Sequence, residues 1–154
     1  MRVLRIQSGF SLIELIIVVI ILGVIAAIAV PRLSNAASNS RYNAAHQGFR
    51  NIAVAMDTYY MDNLSYPPNT HVGVFPTEMD GYLHPTAFTK PSPIGGGWDW
   101  NGPGSGINTY GTNLSIHRTT VAERIQMERR FDDRNSGTGV YQIQSHYLIW
   151  PMEN

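Results

Sequence analysis

The feature that most constrains this chain is an apolar run over residues 10–30, in which Glu14 is the only ionisable side chain. As a helix rising 1.5 Å per residue, this run would be about 32 Å long, close to the thickness of the hydrocarbon core of a bilayer. Arg2 and Arg5 precede it and form a basic leader, which is expected to stay on the cytoplasmic side. The run can therefore cross a membrane.

Two interpretations of this run compete. It could be an ordinary secretory signal peptide cut near Ala29, where small residues imitate a cleavage site. It could instead be a retained anchor that loses only its leader. Glu14 favours the anchor, because a carboxylate at this depth costs about 2–3 kcal/mol on insertion and a discarded segment would have no use for it. If the chain is cut after Gly9, the new α-amine of Phe10 is a cation that can pair with Glu14, within one helix or between two.

These residues carry a specific resemblance. A basic leader, then Gly9, Phe10 and Glu14 at this spacing, then an apolar helix, resembles the N-terminus of type IV pilins and the pseudopilins of type II secretion. The resemblance implies cleavage after Gly9 by prepilin peptidase, N-methylation of Phe10, and pairing of Glu14 with the Phe10 amine of a neighbouring subunit. Gly23 and Pro31 match positions that bracket a helix segment that loosens in assembled filaments.

The resemblance also implies an organisation and a set of partners. A leader of residues 1–9 would be removed, residues 10–31 would form the transmembrane and assembly helix, and residues 32–154 would hold an amphipathic helix and a globular head. The partners implied are identical subunits in a filament, prepilin peptidase, the inner-membrane assembly platform with its ATPase, and lipid before assembly. The head would face the periplasm, and the assembled filament would be periplasmic or on the cell surface.

The rest of the chain predicts an α+β fold, in which the long helix packs against a small antiparallel sheet. Between residues 32 and 63, apolar side chains recur every three or four positions, which predicts an amphipathic helix. The stripe consists of Tyr42, Ala45, Phe49, Ile52, Met56 and Tyr59. We expect His46 at the rim of this stripe. After the helix, the chain is rich in proline and glycine to about Gly106, with one short helical turn predicted over residues 77–83.

The C-terminal third shows clear periodicity again. Alternation over residues 109–116 predicts a strand. Thr120 and Glu123 have the spacing of a capping box, which predicts a helix to about Phe131. The spacing turns Val121, Ile125 and either Glu128 or Phe131 inward. The sequence predicts a turn over residues 132–139 and one further strand over residues 140–150.

Two candidate sites lie in the predicted head. Trp98 and Trp100 flank an aspartate, and in strand geometry both indoles face one side. They could form a carbohydrate- or surface-binding platform, as in a secreted domain released by signal cleavage, or they could fill the core. Asp132, Asp133 and Asn135 cluster oxygen ligands of the kind Ca²⁺ prefers, although capping and turn formation explain the same residues. We expect no cofactor apart from this possible calcium site.

The sequence nominates no catalytic centre. It contains no nucleophile elbow, phosphate loop or metalloprotease motif, and it has no cysteine. The formal charge is balanced, so nothing favours nucleic acid as a direct partner. We therefore expect a structural subunit rather than an enzyme. Because many adhesive pilins resemble one another in a C-terminal disulfide, the lack of cysteine favours a pseudopilin over a pilin of a surface fibre for adhesion, motility or DNA uptake.

Overall fold

The computed structural model describes residues 9–103, 111–132, 134, 137–144 and 147–152. The chain divides into two compact units, Met1–Asn39 and Ser40–Asn154. The first described element is a 52-residue helix, α1, which begins at Leu12, ends at Asn63 and contributes to both units. The remaining elements all lie in the second unit: a 3-10 helix Thr77–Met79, α2 Thr86–Thr89, β1 Gly97–Asn101, β2 Asn113–His117, α3 Val121–Phe131, β3 Gln142–Gln144 and β4 Tyr147–Pro151.

The four strands form one antiparallel sheet in the order β1-β2-β4-β3. The register places apolar residues in rows across one face. Trp100 is opposite Leu114, and Leu114 is opposite Trp150. The α+β fold with a long N-terminal helix and a small antiparallel sheet is therefore confirmed.

The core of the second unit forms where the amphipathic stripe of α1 meets this sheet. The stripe residues Ala45, Phe49, Ile52 and Met56 are all buried. Phe49 is the centre of an aromatic cluster, with ring centroids 5.0 Å from Trp98, 5.2 Å from Tyr141 and 5.8 Å from Trp150. The periodicity of the sequence thus predicts which face of the helix is buried, because apolar area drives the packing.

His46 lies at the edge of this cluster, where its ring stacks on Phe131 at 4.3 Å. Its Nδ1 atom lies 2.8 Å from the hydroxyl of Tyr141, which is fully buried. Burial lowers the pKa of His46, and the nearby positive charge of Arg50 lowers it further. Burial also raises the pKa of Tyr141. His46 is therefore a partner in the core rather than a free surface group.

The segment between α1 and the sheet has more order than its composition suggests. Its backbone follows the outer edge of β1, where the amides of Thr70 and Gly73 donate to the carbonyls of Trp100 and Trp98. These bonds cover an edge strand that would otherwise be open to pairing with another chain. The predicted helical turn is the 3-10 helix Thr77–Met79, and the second short helix, α2, is not predicted by the sequence pattern.

Two predictions for the C-terminal third are wrong. Residues 140–150 do not form one strand, since β3 and β4 pair with each other as a hairpin, with Ile143 opposite Leu148. Helix α3 does begin after its Thr120 cap, and Glu128 is buried as its spacing predicts, but Val121 and Ile125 are not buried and the other buried residues are Arg124 and Met127. The Arg124 guanidinium donates to the Thr119 carbonyl at 2.5 Å, so this buried charged residue has a local hydrogen-bond partner.

Candidate assembly site

The start of α1 is organised by two side chains that accept hydrogen bonds from backbone amides of the first turn. The hydroxyl of Ser11 accepts a hydrogen bond from the amide of Ile13 at 3.3 Å. Oε2 of Glu14 accepts the amide of Ser11 at 2.9 Å. The arrangement is a capping box in which the serine hydroxyl accepts the second helical amide instead of the third, and it satisfies backbone donors that a helix N-terminus leaves without intrahelical partners. The negative charge in the first turn also complements the helix dipole.

The capping box gives Glu14 a defined direction. Its carboxylate turns back toward the backbone of Ser11, which directly precedes the helix. The backbone of Ser11, which it contacts, is one residue from Phe10. A cation formed at the Phe10 nitrogen would therefore be close to a carboxylate already held by the fold.

This arrangement was missed at the level of sequence, although its signal was present. Ser11 and Glu14 have the same three-residue spacing as Thr120 and Glu123, for which a capping box is predicted. At Thr120 the hydroxyl does accept the Glu123 amide, at 3.2 Å. Oε1 of Glu123 lies 3.5 Å from the Arg41 guanidinium, so this side chain is engaged in an ion pair. The spacing of Ser11 and Glu14 therefore indicates a cap at the start of α1 as well.

The apolar half of α1 is exposed along its whole length. Phe10 is 82% exposed, and the large apolar side chains between Leu12 and Val30 are all exposed. By length and composition, α1 contains a window that could cross a membrane, and none of that window is buried within the described structure. A contiguous apolar surface of this extent is not stable in water and requires lipid or other protein around it.

Gly23 and Pro31 both lie inside the continuous helix. No neighbouring atom lies within 4 Å of where a Cβ of Gly23 would be, so packing within the described chain does not require glycine there. Pro31 does not end the helix, which continues to Asn63. Glycine and proline cost about 1 and 3 kcal/mol in a helix interior, so residues 23–31 are bounded by the two residues of lowest helix propensity in the apolar half. Whether this segment loosens in a filament stays a prediction.

Comparison with known proteins bears on this N-terminal site. The family model described as the prokaryotic N-terminal methylation motif matches residues 4–30. Type II secretion system core protein G of Pseudomonas aeruginosa is 43% identical over 63 residues, which are 41% of this chain and 44% of that protein. The protein of the same name from Aeromonas hydrophila is 36% identical over 88 residues, 56% of this chain and 57% of that protein.

At its N-terminus the chain resembles type IV pilins and pseudopilins. Fimbrial protein EcpC of Eikenella corrodens is 33% identical over 81 residues, which are 52% of this chain and 53% of that protein. The chain spans about half the length of the curated relatives it matches. No solved structure matches it. The resemblance to pilins and pseudopilins is confirmed.

Trp98 and Trp100 belong to the core of the head and not to a binding surface. Trp98 is 3% exposed and Trp100 is fully buried, with its indole N–H donating to the Pro67 carbonyl at 3.0 Å. A stacking platform for sugars requires exposed rings. The hypothesis of a surface-binding site at these two residues is therefore wrong, and the alternative, that the indoles fill the core, is correct.

Of the three candidate calcium ligands, Asp133 and Asn135 lie outside the described residues. Asp132 is the C-cap of α3, and its carboxylate accepts the backbone amide of Tyr141. Within the described part of the chain, no group of three or more histidine, aspartate and glutamate side chains could hold a metal ion. Calcium binding at this turn stays a prediction.

Proposed function

We propose that this chain is a structural, non-enzymatic subunit of a type IV pilus-like filament, of the pseudopilin kind that serves type II secretion. The observation that carries the proposal is the combination at the start of α1. A processing motif is followed at once by a capped carboxylate and an apolar helix face that is entirely exposed. The relatives named as type II secretion core protein G support the pseudopilin assignment.

In this proposal, the chain is held in the inner membrane by α1 with its head in the periplasm. Prepilin peptidase cuts after Gly9 and methylates Phe10. The assembly platform and its ATPase then move the subunit from lipid into the filament. Burial of apolar helices against one another replaces lipid contacts, and the Glu14 carboxylate meets the Phe10 amine of the neighbouring subunit. Pairing removes an uncompensated charge from an apolar environment and so fixes the register between subunits.

The capping box raises a rival explanation of Glu14, namely that it only starts the helix. Two substitutions separate the explanations. Glutamine at this position of a capping box can still accept the Ser11 amide, but it carries no charge. Glu14→Gln therefore keeps the cap and removes the ion pair, whereas Glu14→Ala removes both.

The test is filament yield and the extent of N-terminal processing in both variants. We expect both to be processed as the wild type is, and both to assemble poorly. If Glu14→Gln assembles as well as the wild type while Glu14→Ala does not, Glu14 acts through the helix cap and the pairing proposal is wrong. Normal assembly of both variants would contradict any assembly role for this residue.

A second candidate function is a pilin of a surface fibre, and the similarity to a fimbrial protein favours it. Antibody labelling of the head on intact cells distinguishes the two functions. Long labelled fibres would support the surface pilin. Labelling that appears only after the outer membrane is permeabilised would support the pseudopilin.

A further inference from the structure

The C-terminal end of α1 carries an exposed apolar surface. Tyr60 is 42% exposed, Met61 is 76% exposed and Leu64 is 83% exposed. Tyr60 and Met61 come four and three positions before Leu64, so the three side chains are neighbours around the last turn of the helix. We call these three residues the end patch. Single exposed apolar residues are ordinary on a protein surface, whereas three adjoining ones favour a contact with another molecule.

Leu64 has a backbone conformation that leucine rarely adopts. Its φ is 55°, in the left-handed region, and its amide donates to the Tyr60 carbonyl at 2.7 Å. Glycine is the usual residue at this position after a helix, because a Cβ is strained there. An apolar residue at such a cap commonly packs back on the last turn, but Leu64 stays exposed. The chain thus holds a strained leucine without packing it, which favours a role for this side chain in a contact outside the chain.

The part of the sequence that holds the end patch carries only negative formal charge. Residues 51–89 contain neither lysine nor arginine, and they contain four acidic residues: Asp57, Asp62, Glu78 and Asp80. The fold joins the end of α1 to the segment around the 3-10 helix, since the Tyr82 hydroxyl donates to Asp62 at 3.0 Å and the rings of Tyr59 and Tyr82 are 5.3 Å apart. The end patch therefore lies in an acidic part of the head.

Two of these carboxylates are held in position beside the end patch. The Tyr66 hydroxyl donates to Oδ1 of Asp57 at 3.0 Å, and the Tyr66 ring stacks on the ring of Tyr60 at 4.7 Å. Tyr82 holds Asp62 in the same way. Among the described residues, neither carboxylate has an ion-pair partner. Both are therefore available to a cation from outside, and they lose little conformational freedom when they bind it.

A cavity of about 550 Å³ opens beside Asp57. Its described lining includes the carboxylates of Asp57 and Asp132 and the indole of Trp150. Carboxylates bind guanidinium and ammonium groups, and an indole ring adds a cation–π contact. The cavity therefore suits a basic side chain of a molecule that is bound at the end patch.

The charges select the class of molecule that binds here. Anionic lipid surfaces and nucleic acids both carry negative charge, so the four carboxylates repel them. A second copy of the chain offers no strongly basic segment, because the five arginines of residues 118–134 stand among four acidic residues. A different protein with basic side chains around an apolar contact is complementary to the end patch in both respects.

We propose that the end patch binds a different protein, whose contact surface combines apolar side chains with arginine or lysine. The inference goes beyond the proposed filament function and does not depend on it, since all the contacts that carry it lie in the head. Filament yield is measured separately, so a failure of this inference leaves the filament function standing.

Photo-cross-linking in the cells that produce the full-length protein tests the partner. A benzophenone amino acid is placed at Met61, or at Val121 as the control, because Val121 is 59% exposed on α3. We expect the Met61 probe to attach to a different protein, at a peptide in which lysine and arginine outnumber acidic residues. The Val121 probe should not give this product. The inference is overturned by the same product from both positions, by products with lipid or with copies of this chain alone, by a peptide without a basic excess, or by no product at Met61.

Removal of charge tests why that protein binds. Asparagine still accepts a hydrogen bond from tyrosine but has no charge, so the double variant Asp57→Asn with Asp62→Asn can keep both bonds to the tyrosines. It should lower the yield of the Met61 product at least about threefold, since two favourable charge contacts are lost. Glu123→Gln removes one acidic group on α3 and should leave the yield unchanged. Equal yields from the double variant and the wild type would show that charge does not select the partner and would overturn the proposal.

Leu64→Gly separates a contact role from a structural role. Glycine adopts a φ of 55° without strain, so the variant should unfold at a higher urea concentration than the wild type. It also lacks the apolar side chain, so the yield of the Met61 product should fall. Arg118→Gly is the matched control, because Arg118 is also exposed and has a φ of 65°. It should raise the urea midpoint and leave the yield unchanged. A Leu64→Gly variant that keeps the wild-type yield, or that loses stability together with yield, would overturn the contact role of this residue.

Discussion

The bond between His46 and Tyr141 allows a quantitative test of how the head is held together. Tyr141 is fully buried, and its hydroxyl lies 2.8 Å from Nδ1 of His46. Tyr141→Phe removes this hydroxyl and leaves a partly buried ring nitrogen without that partner. The loss of such a partner lowers the free energy of unfolding by about 1–3 kcal/mol. Because His46 keeps some access to water, we expect a value in the lower half of this range, about 1–2 kcal/mol. In a domain of roughly 100 residues, each kcal/mol lowers Tm by about 4–8 °C.

The assay is urea unfolding of the full-length protein in detergent micelles, followed by tryptophan fluorescence. Trp98, Trp100 and Trp150 all lie in the head, so the signal reports on that unit. Tyr82→Phe is the matched control, because its hydroxyl donates to Asp62 at 3.0 Å at the surface, where water can replace it. If Tyr141→Phe changes the free energy of unfolding no more than Tyr82→Phe does, the buried bond does not stabilise the head and the reasoning is refuted.

The same pair predicts a dependence of stability on pH. Because burial lowers the pKa of His46, the folded head favours the neutral ring. The unfolded chain takes up a proton near pH 6.5, and the folded chain does so only at lower pH. The stabilisation that His46 contributes to the folded head is therefore fully present above about pH 6.5, and it decreases as the pH drops toward the pKa of His46 in the folded state. The difference between wild type and His46→Gln isolates this effect, and a wild type that gains stability relative to the variant on acidification would contradict it.

Two further predictions concern packing and capping. Gly48→Ala would place a Cβ 2.8 Å from the buried ring of Trp98. Overpacking costs about 1–3 kcal/mol and the higher helix propensity of alanine returns about 1 kcal/mol, so we expect the free energy of unfolding in urea to fall by up to about 2 kcal/mol. A rise in that free energy would contradict the prediction. Thr120→Ala removes the hydroxyl that accepts the Glu123 amide and should cost about 1 kcal/mol. Thr120→Ser should retain most of that stability, and equal losses in the two variants would show that the cap does not contribute.

The elements with strong local signals could be predicted from the sequence. Helix α1 follows from an apolar run and then an amphipathic period, and its end near Asn63 follows from the prolines after it. Phe49 and Met56 are buried as their spacing predicts. Thr120 caps α3 because the cap depends on residues only three apart. Local chemistry decides each of these features, so one sequence is enough to find them.

Features decided by the rest of the fold could not be predicted in this way. The buried face of α3 includes Arg124 and Met127, which the apolar spacing does not select in this 11-residue helix. The β3–β4 hairpin has apolar and aromatic residues on both of its arms, so its sequence also fits one longer strand. At the candidate site, the position of Glu14 in an apolar run indicates an assembly role, which stays a prediction. The spacing of Ser11 and Glu14 indicates a cap, but the contact of Ser11 with the Ile13 amide is seen only in the structure.

The central claim is that the chain is processed between Gly9 and Phe10 and keeps its apolar helix as an anchor and assembly element. Mass analysis of the N-terminus of the mature protein, isolated from cell envelopes, tests this most directly. The account predicts a chain that begins at Phe10 and carries one methyl group on its α-amine. A chain that begins at Val30, as ordinary signal cleavage after Ala29 would leave it, would contradict the account, because the capped carboxylate and the apolar helix would both be absent from the mature protein.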